Sequence, residues 1–173
     1  MLNEKRIKEA ENNIRIYLED GLLKKTNDKI SQDIFIKNAK ESIRASKLML
    51  DNKIFLWTIV TSYYSMFYIA NAVLLKIGYK TSDKIVHKVT ADSLIALIRN
   101  KLKKHLIDNY EKVAEDALKI AEIKSNELIN SFDYERIKRS NIQYKTSQSE
   151  IKTKAITSFK RAQEFLFEME GLL

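Results

Sequence analysis

The sequence predicts an all-α, up-and-down bundle of five to six helices, and three observations carry that prediction. The 173-residue chain contains no proline and three glycines, so long helices meet few breakers. Apolar residues recur at helical spacing along most of the chain, and no segment shows sustained alternation with the period of a strand. Hydrophobic residues make up 45% of the chain, which argues for a folded core despite the 31% that are charged.

Six helical segments follow from the apolar spacing, over about residues 4–20, 32–51, 54–75, 82–107, 109–131 and 147–170. Capping signals precede several of them: Ser31 or Asp33, Ser82, and the capping boxes Asp108–Glu111 and Ser147–Glu150. We interpret residues 1–30 as an N-terminal helix and linker. Residues 31–173 form the bundle proper, and the whole chain is one compact domain by length.

The third segment has no formal charge between Lys53 and Lys76, and two interpretations fit it. At twenty-two residues, it is long enough to cross a bilayer. It also contains several hydroxyl and amide side chains, which need partners that neighbouring helices supply. We therefore favour a buried bundle helix and no membrane.

The net charge of +8 also allows two interpretations. Lysines alternate with acidic residues along the whole chain, as on solvated helix faces. An anionic partner, with RNA as the leading candidate, is the alternative. The charged N-terminus does not resemble a secretory signal, so a cytoplasmic location is expected.

Several classes of site are excluded by the residues that the chain lacks. A di-iron bundle needs paired Glu-x-x-His motifs, and neither His87 nor His105 follows a Glu by three. The chain has no cysteine and no glycine-rich phosphate loop. We expect neither a metal nor a cofactor.

The first candidate site lies in the polar, basic stretch before the last helix. Arg139, Asn141 and Tyr144 could hold a phosphate and position a sugar or base. Three further cations surround them in sequence: Arg136, Lys138 and Lys145. The alternative is that the Arg and Tyr anchor a loop to the end of the bundle.

Arg99, Asn100 and His105 form the second candidate, pairing a phosphate clamp with a general base. On a straight helix, side chains six residues apart point about 120° away from each other. A helix break near His105 would change this geometry. The alternative is a solvated helix face.

Three features of the sequence resemble the HEPN domain, in particular small stand-alone HEPN proteins of archaea and bacteria. They are the run Tyr63–Phe67 in a Tyr- and Ala-rich helix, Gly78 followed by His87, and Arg139 followed by Tyr144 before the terminal helix. The resemblance spans about residues 33–169. It constrains the N-terminal helix and the stretch from Arg99 to Asn130 less closely.

The resemblance implies a helical bundle that dimerises and brings two copies of the Arg-containing loop into a shared cleft. Many HEPN proteins are metal-independent endoribonucleases, often toxins paired with a minimal nucleotidyltransferase antitoxin. Arg139 takes the phosphate-binding role here, with Asn141 as a polar neighbour. Arg136, Lys138, Lys145 and His87 are the candidate residues for binding RNA or a nucleotide.

The position of the family's catalytic histidine falls at Tyr144 in this chain. A phenol with an ordinary pKa near 10 is a poor base at pH 7. The sequence therefore leaves two functions open. One is a dimeric RNA- or nucleotide-binding protein that is a ribonuclease-like toxin; the other is a non-catalytic interaction or scaffold module.

Overall fold

A computed structural model describes residues 2–132 and 148–173, and the side chains of residues 2–122 and 148–173. Its helices and two short strands are α1 (Glu4–Glu19), β1 (Leu23–Lys25), α2 (Lys29–Asp51), α3 (Phe55–Lys76), β2 (Tyr79–Thr81), α4 (Val86–Ser93), α5 (Lys104–Phe132) and α6 (Gln148–Glu170). Between α4 and α5 the chain continues through a π-helical turn, Leu94–Ile98, and a 3-10 turn, Arg99–Lys101. The predicted all-α class is confirmed.

The uncharged helix α3 lies at the centre of the bundle and packs against α2, α5 and α6. Its side chains form much of the core, with Met66, Ile69 and Leu74 fully buried. It is the one helix in the described part of the chain that is long and apolar enough to cross a membrane. However, 83% of that apolar window is buried inside the protein, as in the core helix of a soluble protein.

The polar side chains of α3 are paired inside the core, which explains how an uncharged helix can carry so many of them. The Ser62 hydroxyl lies 2.7 Å from that of Ser46 on α2, and Ser65 donates to the carbonyl of Ala39 at 3.0 Å. Asn71 donates to the hydroxyl of Thr90 and accepts from Thr81. These bonds fix α2, β2 and α4 around α3.

A two-stranded antiparallel ribbon ties the segment after α1 to the segment after α3. Leu23 pairs with Thr81, and Lys25 pairs with Tyr79. Gly78 provides the turn into β2 with a φ of 90°, which favours glycine. The spacing of apolar residues did not predict this ribbon, because each strand is only three residues long.

Helix α1 is attached to the bundle through Asp92 of α4, which is completely buried. The Arg6 guanidinium lies 2.6 Å from one carboxylate oxygen of Asp92. The other oxygen accepts from the amide of Asn13 at 2.8 Å and the hydroxyl of Tyr17 at 2.7 Å. A buried carboxylate needs such partners, because desolvation penalises its charge.

The caps predicted for α2, at Ser31 or Asp33, and for α4, at Ser82, are wrong. Asp28 caps α2 and accepts from the backbone of Ser31, which lies inside the helix together with Asp33. Helix α4 starts at Val86, four residues after Ser82. Ser147 lies outside the described residues.

The capping box predicted at Asp108 and Glu111 is wrong, because both residues lie inside α5, which already begins at Lys104. They bind α1 and the residues just before it instead. Asp108 accepts from the backbone of Leu2, and Glu111 accepts from Arg6.

Candidate functional site

His87 stands in the first turn of α4, against the aromatic part of α3. Its Nδ1 lies 2.7 Å from the Tyr63 hydroxyl. The ring centroids of Tyr63 and Phe67 lie 5.5 Å and 4.8 Å from that of the imidazole. The regular spacing of aromatic residues along α3 thus produces a cluster that fixes the orientation of His87.

The ring of Tyr63 also packs against a second buried phenol, Tyr110 of α5. The rings of Tyr63 and Tyr110 meet edge to face with centroids 5.9 Å apart. The buried Tyr110 hydroxyl makes no hydrogen bond of regular geometry with the described residues. Burial raises the pKa of both phenols above the ordinary value, so both are protonated at neutral pH.

Burial also lowers the pKa of His87, because the half-buried imidazole is partly desolvated. His87 is therefore neutral at pH 7. One of its ring nitrogens carries a proton and donates a hydrogen bond, and the other nitrogen accepts a hydrogen bond. Its Nε2 has no hydrogen-bond partner among the side chains that the structure describes.

The open side of His87 faces a cavity of about 480 Å³ between α4 and α5, which we call the His87 pocket. Its lining includes Tyr63, Ile85, His87, Ala91, Ala114 and Leu118. A volume of this size falls in the range of small-molecule sites, roughly 300–1,000 Å³.

Arg99 and His105, the second candidate from the sequence, lie on opposite sides of a break between two helical segments. Leu102, between the 3-10 turn and α5, has an extended backbone. The Arg99 guanidinium lies 2.8 Å from Glu11 of α1 and donates to the carbonyl of Ile95 at 2.8 Å. His105 lies 2.8 Å from Glu164 of α6.

The helix therefore breaks just before His105, which is the case that the sequence left open, but the break does not bring the two candidates together. Arg99 is bound to α1 and His105 to α6, so different helices hold them. Asn100 is exposed. An ion pair inside the chain already occupies the guanidinium that would clamp a phosphate.

A second cavity, of about 360 Å³, lies where α6 begins, and we call it the α6 groove. Lys53, Ile54 and Trp57 line it from the start of α3, together with Gln148 and Ile151 of α6. Trp57 is 47% exposed although it belongs to the core helix. The groove therefore offers an accessible aromatic face beside a lysine.

The first candidate site from the sequence lies outside the described residues. This applies to Arg136, Lys138, Arg139, Asn141, Tyr144 and Lys145. Gln148, in the wall of the α6 groove, follows Tyr144 by four positions in the chain.

The sequence analysis did not identify Tyr110 or Asp92 as site residues. Of the two, only Asp92 stands out in the pattern of the sequence. Asp92 follows Val89 and precedes Ile95 at helical spacing, so an acidic residue occupies the apolar face of α4. That pattern could have indicated a buried charge. Tyr110 looks like any core aromatic, because its relation to Tyr63 depends on how α5 packs on α3.

No group of three or more His, Asp or Glu side chains that could hold a metal ion occurs in the described part of the chain. The polar groups of the His87 pocket are instead suited to hydrogen bonding and to proton transfer by a neutral imidazole.

Comparison with known proteins identifies the family. A search of curated proteins finds no match to this chain. The sequence model of one family, described as the HEPN domain, matches residues 33–172. HEPN domains are all-α and form a ribonuclease-like superfamily with roles related to RNA and nucleotides. Its members commonly dimerise. The match covers α2 to α6 and confirms the resemblance found in the sequence. The chain belongs to the HEPN domain family.

Proposed function

We propose that this protein is a dimeric HEPN protein that binds RNA through the basic segment before α6. Arg139 holds a phosphate, and Arg136, Lys138 and Lys145 add to the attraction for the polyanion. The observation that carries the proposal is the family match, because it spans this segment from end to end. Asn141 and Tyr144 position the nucleotide.

The α6 groove supports this proposal with chemistry suited to single-stranded RNA. Exposed aromatic rings stack on bases, and nearby cations attract the backbone. Trp57 supplies the ring and Lys53 the cation, and both line the α6 groove. Gln148, which also lines the groove, follows the basic segment directly in the sequence.

RNA binding is tested by fluorescence anisotropy with a labelled single-stranded RNA in EDTA. We expect Arg139→Ala to weaken binding about tenfold or more, as for a lost charge-assisted hydrogen bond. The negative slope of log affinity against log salt should become shallower by about 0.7. Arg15→Ala is the matched control, because Arg15 is an exposed arginine of α1. Equal losses in both variants would contradict the proposed site.

We also propose that the protein is a metal-independent ribonuclease-like toxin, controlled by a minimal nucleotidyltransferase. Cleavage of RNA in EDTA that Arg139→Ala abolishes would support this activity. Loss of cleavage in Arg99→Ala alone would move the site to Arg99, Asn100 and His105. Co-purification with a nucleotidyltransferase encoded beside it would support the partner.

Dimerisation is measured separately by light scattering. The expected mass is about twice that of the 20.2 kDa chain. A mass near 20.2 kDa that does not change with protein concentration would contradict the dimer.

The second candidate function is a non-catalytic interaction module. Tyr144 favours it, because the resemblance places the catalytic histidine at this position. A chain that cleaves no RNA at any concentration but still binds a partner protein would support this function.

A further inference from the structure

We propose that the His87 pocket binds a flat, uncharged heteroaromatic ligand of the nucleobase class, with His87 as its hydrogen-bonding partner. This site lies between α4 and α5. His87 is the one residue that it shares with the candidate residues for RNA binding, and it uses none of the residues of the basic segment. The proposal therefore does not depend on RNA binding by Arg139.

Apolar side chains form most of the pocket and favour an apolar, flat ligand. Ala91 of α4 and Ala114 of α5 have short side chains, which leave space between the two helices. Ile85 and Leu118, at 56% and 37% exposure, leave apolar surface in water that a ligand would cover. The backbone of Ile85 is also strained, since a β-branched residue rarely adopts a φ of 43°.

The polar part of the pocket supplies a directed hydrogen bond. Buried hydroxyls in proteins nearly always donate to a partner. Tyr63 has such a partner when it donates to Nδ1 of His87, 2.7 Å away. In that arrangement the proton of His87 is on Nε2, and the pocket offers an N–H group to an acceptor of the ligand.

The charges around the pocket disfavour a phosphate. Its lining contains one basic residue, Lys88, and two carboxylates, Glu111 and Glu115. With a neutral His87, the formal charge of the lining is negative. Arg6 and Lys119, the cations beside these carboxylates, are already paired with Glu111 and Glu115 and are not free to hold a phosphate. An uncharged base meets apolar walls and one hydrogen-bond donor.

The test follows the ring nitrogens of His87 by NMR while uncharged ribonucleosides are added. The chain has two histidines, so His105 serves as an internal reference. We expect at least one of adenosine, guanosine, cytidine and uridine to shift the His87 Nε2 signal saturably. No saturable shift at millimolar concentration would overturn the proposal.

Two variants separate the pocket from general effects on the fold. Ala114→Leu fills the space between the helices and should weaken nucleoside binding at least tenfold. Ala45→Leu adds the same side chain on α2, away from the pocket, and should bind like the parent protein. Equal binding by Ala114→Leu and the parent would overturn the site.

The charge of the ligand and the independence of the two sites are tested by two further comparisons. A nucleoside 5′-monophosphate should bind no more tightly than its nucleoside. If the monophosphate binds more than tenfold tighter and salt weakens it, the pocket takes a phosphate and the proposal is wrong. Arg139→Ala should bind the nucleoside normally, and a loss there would show that the pocket is part of the RNA site.

Discussion

Asp92 is the residue whose chemistry depends most on the fold. Its carboxylate has no exposed surface and is surrounded by Arg6, Asn13 and Tyr17 of α1. Burial and the bond to Asp92 raise the pKa of Tyr17, so this phenol remains a donor over the physiological range. The carboxylate thus connects α4 to a helix outside the matched family region.

Substitution Asp92→Asn should lower the free energy of unfolding by about 3 kcal/mol or more, because Arg6 loses its buried partner. Urea denaturation measures the change. Asp116→Asn is the control, since Asp116 pairs with Lys154 at the surface. Its expected cost is below about 1 kcal/mol. Similar costs for the two variants would show that the Asp92 pair is not a buried one.

His87 should make the stability of the protein depend on pH. Burial lowers its pKa in the folded protein below the ordinary value of 6.5, so the unfolded chain binds a proton more readily. The contribution of His87 to stability is therefore fully present above pH 6.5 and is lost as the pH drops below it. Urea denaturation at about pH 7.5 and 5.5 should show a smaller drop for His87→Gln. If the loss of stability between the two pH values is the same in His87→Gln and the parent, the imidazole is exposed to water in the folded protein.

Among the elements, the ends of helices were harder to predict than their existence. Helical spacing located all six helices, because each buries an apolar face over several turns. The pattern Asp108-x-x-Glu111 matched a capping box, but Glu111 binds Arg6 of α1 and Asp108 binds the backbone of Leu2 just before α1. A local pattern does not reveal that a distant helix competes for the same carboxylates. The short ribbon was missed for a similar reason, since three residues carry too little periodicity.

Replacement of Gly78 tests the turn between α3 and β2. An added Cβ has room, because its nearest atom would be a carbonyl oxygen 3.7 Å away, so the cost comes from the φ of 90°. Gly78→Ala should lower the free energy of unfolding by about 1–2 kcal/mol. Gly171→Ala, where φ is not positive, should change it by less than about 0.5 kcal/mol. Thermal or urea unfolding of the pair measures both, and equal effects would contradict strain at Gly78.

On the scale of the whole molecule, the family match and the folded unit have different boundaries. The match begins at residue 33, yet Ala10, Ile14 and Tyr17 of α1 are buried against the bundle. The sequence predicted a separate N-terminal helix and linker within one compact domain. It could not show how closely that helix is attached, because Arg6 and Asp92 are far apart in the chain.

Deletion of residues 1–20 should therefore destabilise the remaining chain. The loss of Ile14 and Tyr17 from the core and of the partners of Asp92 should cost at least about 4 kcal/mol in the free energy of unfolding. Circular dichroism during urea titration measures this change, with Arg6→Ala as a milder variant. A shortened chain that unfolds at the same urea concentration would show that α1 is dispensable.

The candidate site was predictable only in part, because pockets are made by residues distant in sequence. His87 was found through its position after Gly78, whereas its contacts with Tyr63 and Ala114 depend on how three helices pack. Arg99 and His105 lie six residues apart in the sequence, but tertiary contacts with Glu11 and Glu164 hold them on different helices.

Trp57 is the single tryptophan of the chain, and it stands half exposed at the edge of the α6 groove. Its emission is therefore an intrinsic optical signal for this end of the protein, without any dye. Because the indole is already in contact with water, its spectrum should change less on global unfolding than that of a buried indole. Quenching by an added oligonucleotide would instead identify an event at this one surface.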